Sequence, residues 1–262
     1  MEPKTPADGA DEIADPASQF DEIAFLYDRL MSGVPYGAWV AYLERILSRF
    51  ECNPSTILDV CCGTGNVSLL LAKKGYRVSG VDISPSMIEI AREKSEKRCI
   101  QADFQVADVC RFNLGRRFNL AVSLFDSLNY ILESALLQQA FHCISEHVEH
   151  GGLLIFDMNT EMALAGGMFD QSNLGSDAPV IYKWRSAYDS ISRLCRIHMD
   201  YRYNQPGTDK HVDIVHYQRA YETKEIGEML WCAGFDVLAI YDAYSFREAS
   251  TRSDRIFFVA RK

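Results

Sequence analysis

The sequence lacks the features that mark several classes of protein. Its 27 Lys and Arg residues are outnumbered by 36 Asp and Glu, giving a net charge of −9, so it has no basic excess for binding a nucleic-acid backbone. No apolar run approaches the roughly 18 residues that a membrane span requires. The acidic, polar start MEPKTPADGADEIADPASQ has neither the basic nor the apolar region of an export signal. We therefore expect a cytoplasmic protein that binds neither nucleic acid nor membrane.

The spacing of the cysteines is also informative. The chain has eight, and no pair of them shows the C-x-x-C spacing of common metal and redox sites. In a chain without an export signal, such cysteines are expected to be reduced thiols, mostly small buried side chains. We expect no disulfide and no metal site.

Length and composition favour one globular unit. The chain has 262 residues, of which 48% are apolar, enough for a sizeable core. Residues 1–18 are rich in Asp, Ala and Pro, which predicts a disordered lead-in. Residues 19–262 are then expected to form one domain.

The domain is predicted to begin with two helices. Phe20, Ile23, Ala24 and Tyr27 recur at helical spacing in FDEIAFLYDRLM. A second apolar stripe at helical spacing follows the break at SGVP and runs from Trp39 to Phe50. We interpret Trp39, like Trp184, as a core residue.

Strands and helices then alternate. Strands are predicted at 56–60, 76–83, 103–107, 118–125 and 152–158. Helices are predicted at 66–74, which ends at Gly75, from Ser84-Pro85 onward, and at roughly 133–149. This alternation predicts a parallel, doubly wound sheet.

The pattern changes after Asn159. In SRLCRIHMDYRYN, apolar residues from Cys195 to Tyr203 alternate with polar ones, which is typical of a half-buried antiparallel strand. We interpret 179–220 as a small antiparallel sheet inserted into the main domain. The main domain then resumes with a helix capped by Thr223 and ended by Gly234, followed by two strands.

A glycine turn lies between two acid-terminated strands in ILDVCCGTGNVSLLLAKKGYRVSGVDIS, residues 57–84. Gly63 and Gly65 allow a tight turn at a helix N-terminus, where a ligand can approach the backbone. Asp82 ends the next strand, where a carboxylate can bind ribose hydroxyls. A dinucleotide is one candidate ligand, with Ser68 near the third position of its fingerprint. However, Asp59 would face the pyrophosphate, and it suits the cationic aminoacyl end of S-adenosylmethionine better.

At this point the sequence resembles a known family. ILDVCCGTGNVSLLLAKKGYRVSGVDISPSMIEIAREK is similar to the first two motifs of the class I S-adenosylmethionine-dependent methyltransferases. FDSLNYI, HYQRAY and AGFDV extend the resemblance to a bacterial small-molecule subgroup with an inserted sheet. It implies an α/β fold with a Rossmann-like seven-stranded sheet, mostly parallel with an antiparallel edge strand, an inserted small antiparallel sheet and an N-terminal helical lid. The sequence departs from the family's D-x-G-x-G-x-G at Cys61, where the first glycine usually stands.

The resemblance implies roles for the residues that bind the cofactor. Asp59 and the backbone of Cys61–Gly65 would hold the methionine end, and Asp82 the ribose. Ile83 and Met87 would pack on adenine, while Asp108 would accept from its amino group beside the Val109 N–H. The complete predicted set is Tyr27, Tyr36, Asp59, Cys61, Gly63, Gly65, Asp82, Ile83, Met87, Asp108, Val109 and Phe125.

Four residues are the candidates for contact with the methyl acceptor. Asp126 and Asn129 lie in FDSLNYI after the fourth strand, together with Tyr130; a role in shaping the loop is the alternative. His216 and Arg219 lie at the end of the inserted sheet, where a lone histidine is often structural. Arg219 would suit an anionic group of the acceptor.

These patterns predict methyl transfer to a nitrogen or oxygen atom of a small molecule, with S-adenosylmethionine as cofactor. One alternative is a nicotinamide-dependent oxidoreductase, which Asp59 disfavours. Another is a catalytically silent cofactor-binding subunit of a larger assembly. We expect a monomer or a homodimer.

Overall fold

The computed structural model describes residues 16–174, 180–205 and 208–262, with side chains from Gln19 onward except those of 203–210. A seven-stranded sheet has the order β3-β2-β1-β4-β5-β10-β9. Its strands are β1 Thr56–Val60, β2 Arg77–Asp82, β3 Asp103–Val106, β4 Phe118–Ser123, β5 Val148–Asn159, β9 Asp236–Asp242 and β10 Arg255–Arg261. The pairs from β3 to β5 are parallel, and β10 runs antiparallel to both β5 and β9.

Helices cover both faces of this sheet. They are α1 Pro16–Leu30, α2 Tyr36–Arg49, α3 Asn66–Lys73, α4 Pro85–Lys97, α5 Ser134–Glu146, α6 Glu161–Ala165 and α7 Thr223–Cys232. One buried cluster joins α5 and α7 to one face of the sheet, and a second joins α2 and α3 to the other face. The predicted doubly wound α/β fold is confirmed.

The inserted sheet is a separate three-stranded element of β6 Val180–Asp189, β7 Leu194–Gln205 and β8 Thr208–Arg219, paired antiparallel. Strand β7 buries the apolar face that its alternating sequence predicts: Cys195, Ile197, Met199 and Tyr201 are all buried. They pack against Ile23, Ala24 and Leu26 of α1. The inserted sheet and α1 therefore share one apolar core.

Several predicted boundaries need correction. Helix α1 includes residues 16–18, which were predicted to belong to the lead-in; residues 1–15 lie outside the described residues. Residue 179, the predicted start of the inserted sheet, also lies outside them. Helix α5 ends at Glu146 and β5 starts at Val148. Both boundaries are earlier than expected, because the VEHGG stretch at the start of β5 has no strand-like alternation of apolar and polar residues. Thr223 is the first residue of α7, and the cap position is held by Glu222 without a side-chain hydrogen bond. By contrast, the Ser84 hydroxyl accepts from the Met87 N–H as predicted.

Candidate active site

The glycine turn between β1 and α3 brings the backbone close to its neighbours. Gly65 has a φ of +74°, and a Cβ there would lie 2.8 Å from the Phe104 ring, so a side chain is excluded. Gly63 has a φ of +53°, but the space beside its Cα is open. The turn therefore packs tightly on one side and leaves room for a ligand beside Gly63.

The departure at Cys61 has a local backbone cost. Cys61 has a φ of +58°, in the left-handed region that a side chain disfavours by roughly 1–2 kcal/mol. The family's glycine would adopt this conformation without that cost. Burial raises the pKa of the Cys61 and Cys62 thiols well above the usual range, so both remain protonated and poorly nucleophilic.

Two buried carboxylates lie beside the turn. Asp59 accepts from the Ser68 hydroxyl at 2.5 Å, and Asp82 accepts from the N–H of Gly63 at 2.7 Å and of Ser84 at 3.0 Å. Burial, together with the neighbouring Asp82 charge, raises the pKa of Asp59 to about 7. Burial also raises the pKa of Asp82. Among the described residues neither carboxylate has an ion pair, so this part of the site favours a cationic ligand.

A narrow cavity of about 40 Å³ opens beside Asp59, and neither Asp82 nor Gly65 lines it. Six residues of the predicted cofactor set line it: Tyr27, Tyr36, Asp59, Cys61, Gly63 and Phe125. Cys62 and Thr64, which belong to the predicted Cys61–Gly65 segment, line it as well. Sequence reasoning did not assign the remaining lining residues to the site; they are Trp39, Asn66, Val67, Leu124 and Ser127. Trp39 was interpreted as core, and it is indeed 8% exposed, but it also forms part of this wall.

The residues predicted to contact adenine lie outside this cavity. Met87 is buried in the core that α1 shares with the inserted sheet, and Ile83 is half-buried at the end of β2. Asp108 accepts from the Cys110 N–H at 2.9 Å and pairs with Arg111 at 3.0 Å. Val109 is buried in the main core. Their adenine role remains a prediction.

The loop after β4 is held in a strained conformation. Phe125 and Asp126 both have positive φ values, +73° and +48°, which cost of order 1–3 kcal/mol each and persist only where the surroundings impose them. The Asp157 carboxylate accepts from both of their N–H groups. Arg255 bridges Asp126, at 2.6 Å, and Asp157. This buried ion network fixes the Phe125 ring in the cavity wall.

The structure ties Asp126 and Asn129 into the scaffold. Besides Arg255, Asp126 accepts from Gln218 at 2.5 Å. The Asn129 amide donates to the carbonyls of Asn159 and Arg219 and accepts from the Asn159 N–H. Asn129 is completely buried, so it has no donor left for a substrate. This contradicts a direct catalytic role for Asn129 and supports the alternative that the loop residues are structural.

His216 occupies a buried position between three elements. Its ring makes edge contacts with Phe20 of α1 at 5.1 Å and with Tyr130 at 5.7 Å. Burial lowers the pKa of His216 to about 4, an effect that the backbone of Gln19 partly opposes. Apart from this contact with Gln19, the ring nitrogens have no hydrogen-bond partner among the described residues. The imidazole is therefore neutral at pH 7.

Arg219 does not lie beside His216. His216 and Gln218 face the interior of β8, and Arg219 lies on the opposite face because side chains alternate along a strand. Its guanidinium donates to the Leu132 carbonyl at 2.9 Å and lies 5.1 Å from the centre of the Tyr221 ring. The expectation that both residues face one acceptor is therefore wrong.

One further group of potential metal ligands lies away from the cavity, and sequence reasoning missed it because its members come from two paired strands. The ligand atoms of Asp200, His211 and Asp213 lie within 4.8 Å of one another on the outer face of the inserted sheet. His211 bonds Asp200 at 3.2 Å, and His198 bonds Asp213 at 2.7 Å. In the structure these side chains act as hydrogen-bond partners for one another.

The site fits S-adenosylmethionine better than a dinucleotide. Asp59 and Asp82 are buried without a cation, so they would repel a pyrophosphate and attract an ammonium or sulfonium group. The open space beside Gly63 lets a ligand approach the turn. The fold and this acid-lined turn together define an S-adenosylmethionine-dependent methyltransferase.

Comparison with known proteins agrees. Residues 57–152 match the family described as a methyltransferase domain. A Geobacillus sp. (strain WCH70) protein named as a methyltransferase is 31% identical over 93% of this chain and 99% of its own length. The crystal structure of an S-adenosylmethionine-dependent methyltransferase from Clostridium acetobutylicum ATCC 824 shares 26% identity and a TM-score of 0.82, covering 92% of this chain and 98% of that one. A dTDP-3-amino-3,6-dideoxy-alpha-D-glucopyranose N,N-dimethyltransferase of Streptomyces fradiae is 31% identical over 52% of each chain.

The chain belongs to the class I S-adenosylmethionine-dependent methyltransferases, and S-adenosylmethionine is its cofactor. None of these likenesses supports the oxidoreductase or the silent-subunit alternative. Among the described helices, none combines the length and the apolarity that crossing a membrane would require.

Proposed function

We propose that this enzyme transfers the methyl group to a nitrogen or oxygen atom of a small-molecule acceptor, with α1 and the inserted sheet as the lid. The observation that carries the proposal is the narrowness of the cavity beside the glycine turn. Aromatic side chains of Tyr27, Tyr36, Trp39 and Phe125 line it. An acceptor that approaches the cofactor past this aromatic wall has to fit beneath α1 and the inserted sheet, whereas a bulky polymer would hold these elements apart.

The chemistry requires little of the protein beyond positioning. S-adenosylmethionine supplies an electrophilic methyl group on a sulfur that leaves readily. The protein's part is to align the acceptor with that methyl group and to exclude water. Asp59 and Asp82 would hold the cationic and ribose parts of the cofactor. The loop fixed by Arg255 would keep Phe125 against the reacting groups.

His216 is the residue that we propose to meet the acceptor. It is buried on the interior face of the inserted sheet, beside Phe20 and Tyr130. A neutral imidazole can accept a hydrogen bond from an amine or hydroxyl group, and its low pKa means that it orients such a group rather than taking up its proton at neutral pH. Asp126 would act through the loop, because its oxygens already bond Arg255 and Gln218.

The Streptomyces fradiae relative favours an amine as the acceptor. Its name specifies methyl transfer to the nitrogen of an amino sugar that carries a nucleotide. That likeness spans about half of the chain, so it supports the chemical class more than any particular sugar.

A panel of acceptors tests this proposal. Purified enzyme would be incubated with S-adenosylmethionine and with separate sets of amines, amino sugars, alcohols and carboxylates, and release of S-adenosylhomocysteine measured. We expect turnover with one small-molecule class and, at a limiting S-adenosylmethionine concentration, roughly 30-fold slower turnover in the Asp82→Ala control. Turnover only with RNA or protein would contradict the proposal.

A further inference from the structure

A polar cluster joins α1 to the glycine turn and to α4. The carboxylate of Asp28, near the end of α1, accepts from the Thr64 hydroxyl at 2.6 Å and from the Asn66 amide at 3.0 Å. Its other oxygen accepts from the Lys94 ammonium at 2.7 Å. Lys94 also donates to the Asn66 side chain at 2.7 Å and to the Thr64 hydroxyl at 3.1 Å. Four side chains from three elements thus form one hydrogen-bonded cluster.

The cluster is partly shielded from solvent. Thr64 is 1% exposed, and the side chains of Lys94 and Asp28 are 13% and 38% exposed. Burial alone would raise the pKa of Asp28, but the hydrogen bonds from Lys94 and Thr64 outweigh it and lower the pKa. Asp28 is therefore ionised at neutral pH, and its bonds are charge-assisted and strong.

The cluster touches the cofactor cavity directly. Thr64 and Asn66 line it, and so does Tyr27, the residue next to Asp28 on α1. The cavity holds about 40 Å³, whereas pockets for small molecules measure roughly 300–1,000 Å³. If α1 and Tyr27 move away to admit a nucleotide, the bonds of Asp28 to the turn break in that movement.

A second carboxylate on the same helix provides a contrast. Asp21 lies seven residues before Asp28, on the same helix face. It accepts from the Ser84 hydroxyl at 2.5 Å and from the Ser86 N–H at 3.0 Å. Asp21 therefore anchors α1 at the start of α4 and makes none of these bonds to the glycine turn.

We propose that Asp28 is a positioning residue that couples closure of α1 to the glycine turn and so retains the bound cofactor. It acts through Thr64 and Asn66, which fix the turn on which the cofactor lies. When Asp28 is bonded, the turn is held and Tyr27 closes the cavity. The inference rests on the cofactor lying in this cavity and does not depend on which acceptor is methylated.

The test compares Asp28→Asn with Asp21→Asn in the full chain. Dissociation of S-adenosylhomocysteine would be followed by stopped-flow fluorescence of Trp39, with Trp39→Phe identifying the signal. We expect Asp28→Asn to raise the dissociation rate constant at least tenfold. We expect Asp21→Asn to change it less than threefold, although both variants lose an anchor of α1 and melt at a lower temperature.

Thr64→Val removes the same contact from the side of the turn. It should also raise the dissociation rate constant, and the double variant should be no faster than the faster single variant. If Asp28→Asn fails to fold, Thr64→Val alone decides the matter.

Three results would overturn the proposal. The first is a dissociation rate constant within threefold of the wild type in Asp28→Asn, or in Thr64→Val if Asp28→Asn does not fold. The second is a rise in the dissociation rate constant of Asp21→Asn equal to that of Asp28→Asn. The third is binding that leaves the fluorescence of Trp39 unchanged. The last would place the cofactor elsewhere. Since the assay contains no acceptor, none of them bears on the proposed acceptor class.

Discussion

The glycine turn and the loop after β4 form two walls of one cavity, but they are held in place by different means. The turn is fixed by nearby residues, with Asp82 bonding Gly63 only 19 positions away. The loop is fixed by Gln218 and Arg255, which lie 92 and 129 positions from Asp126. The first wall is a local structure that a short stretch can encode. The second forms only when the last strand and the inserted sheet are in place.

The largest expected effect is a loss of stability when the ion network that holds the loop after β4 is disrupted. Arg255→Met should lower the free energy of unfolding by about 3–5 kcal/mol, because it leaves Asp126 and Asp157 buried without their cation. Chemical denaturation measures this directly.

Arg247→Met is the matched control for that variant. Arg247 pairs with Asp242 at 2.7 Å, but its side chain is 80% exposed, and exposed pairs contribute about 1 kcal/mol or less. Equal losses in the two variants would show that the network does not hold the loop.

A substitution beside the glycine turn should weaken binding of the cofactor. Asp82→Ala removes the carboxylate that would bind the ribose, and we expect affinity for S-adenosylmethionine to fall by about 2 kcal/mol, roughly 30-fold. Isothermal titration gives the value, with the partly exposed Asp103→Ala as control. Unchanged affinity in Asp82→Ala would refute the ribose assignment.

The acids of this wall also predict a pH dependence. Because burial raises the pKa of Asp59 from 3.8 to about 7, the residue gains a proton as the pH falls below 7 and loses its attraction for a cationic ligand. The dissociation constant should therefore rise by up to about tenfold per pH unit below 7.

Asp59→Asn should flatten that profile, since it leaves no proton to gain. A wild-type affinity that stays constant between pH 8 and pH 5.5 would contradict the role of Asp59.

The smallest expected effect concerns the backbone conformation of Cys61 in the glycine turn. Cys61→Gly should raise the free energy of unfolding by up to about 1 kcal/mol, because relief of the left-handed conformation exceeds the added chain entropy. Cofactor affinity should be unchanged.

Cys62→Gly is the control, since both side chains pack against a buried cluster but Cys62 has no positive φ. That variant should be destabilised. Loss of cofactor binding in folded Cys61→Gly would instead point to thiol chemistry.

The two walls also differ in what the sequence could predict. The glycine turn, Asp59 and Asp82 are recognisable because their spacing follows the strand–helix–strand pattern. The alternation in β7 likewise predicted the inserted sheet. Arg255 carried no such signal, because an arginine at the start of a strand is ordinary until the fold brings it to Asp126. Asn129 was misassigned for the same reason, since its partners lie on β5 and β8.

The separation of Arg219 from His216 follows from strand alternation and could have been predicted. The two residues differ by an odd number of positions on β8, which places them on opposite faces. The residues that fill the cavity wall, such as Trp39, could not be assigned, because an apolar stripe does not show which of its members borders a cavity.

The central claim is that the glycine turn holds the cofactor while the interior face of the inserted sheet meets the acceptor. Its most direct test is His216→Ala, measured for S-adenosylmethionine affinity by titration and for turnover of the identified acceptor. We predict affinity within about 0.5 kcal/mol of the wild type, the scatter of residues outside a binding site, and turnover at least tenfold lower, about 1.4 kcal/mol. A folded His216→Ala variant that no longer binds the cofactor would contradict this division between the two regions.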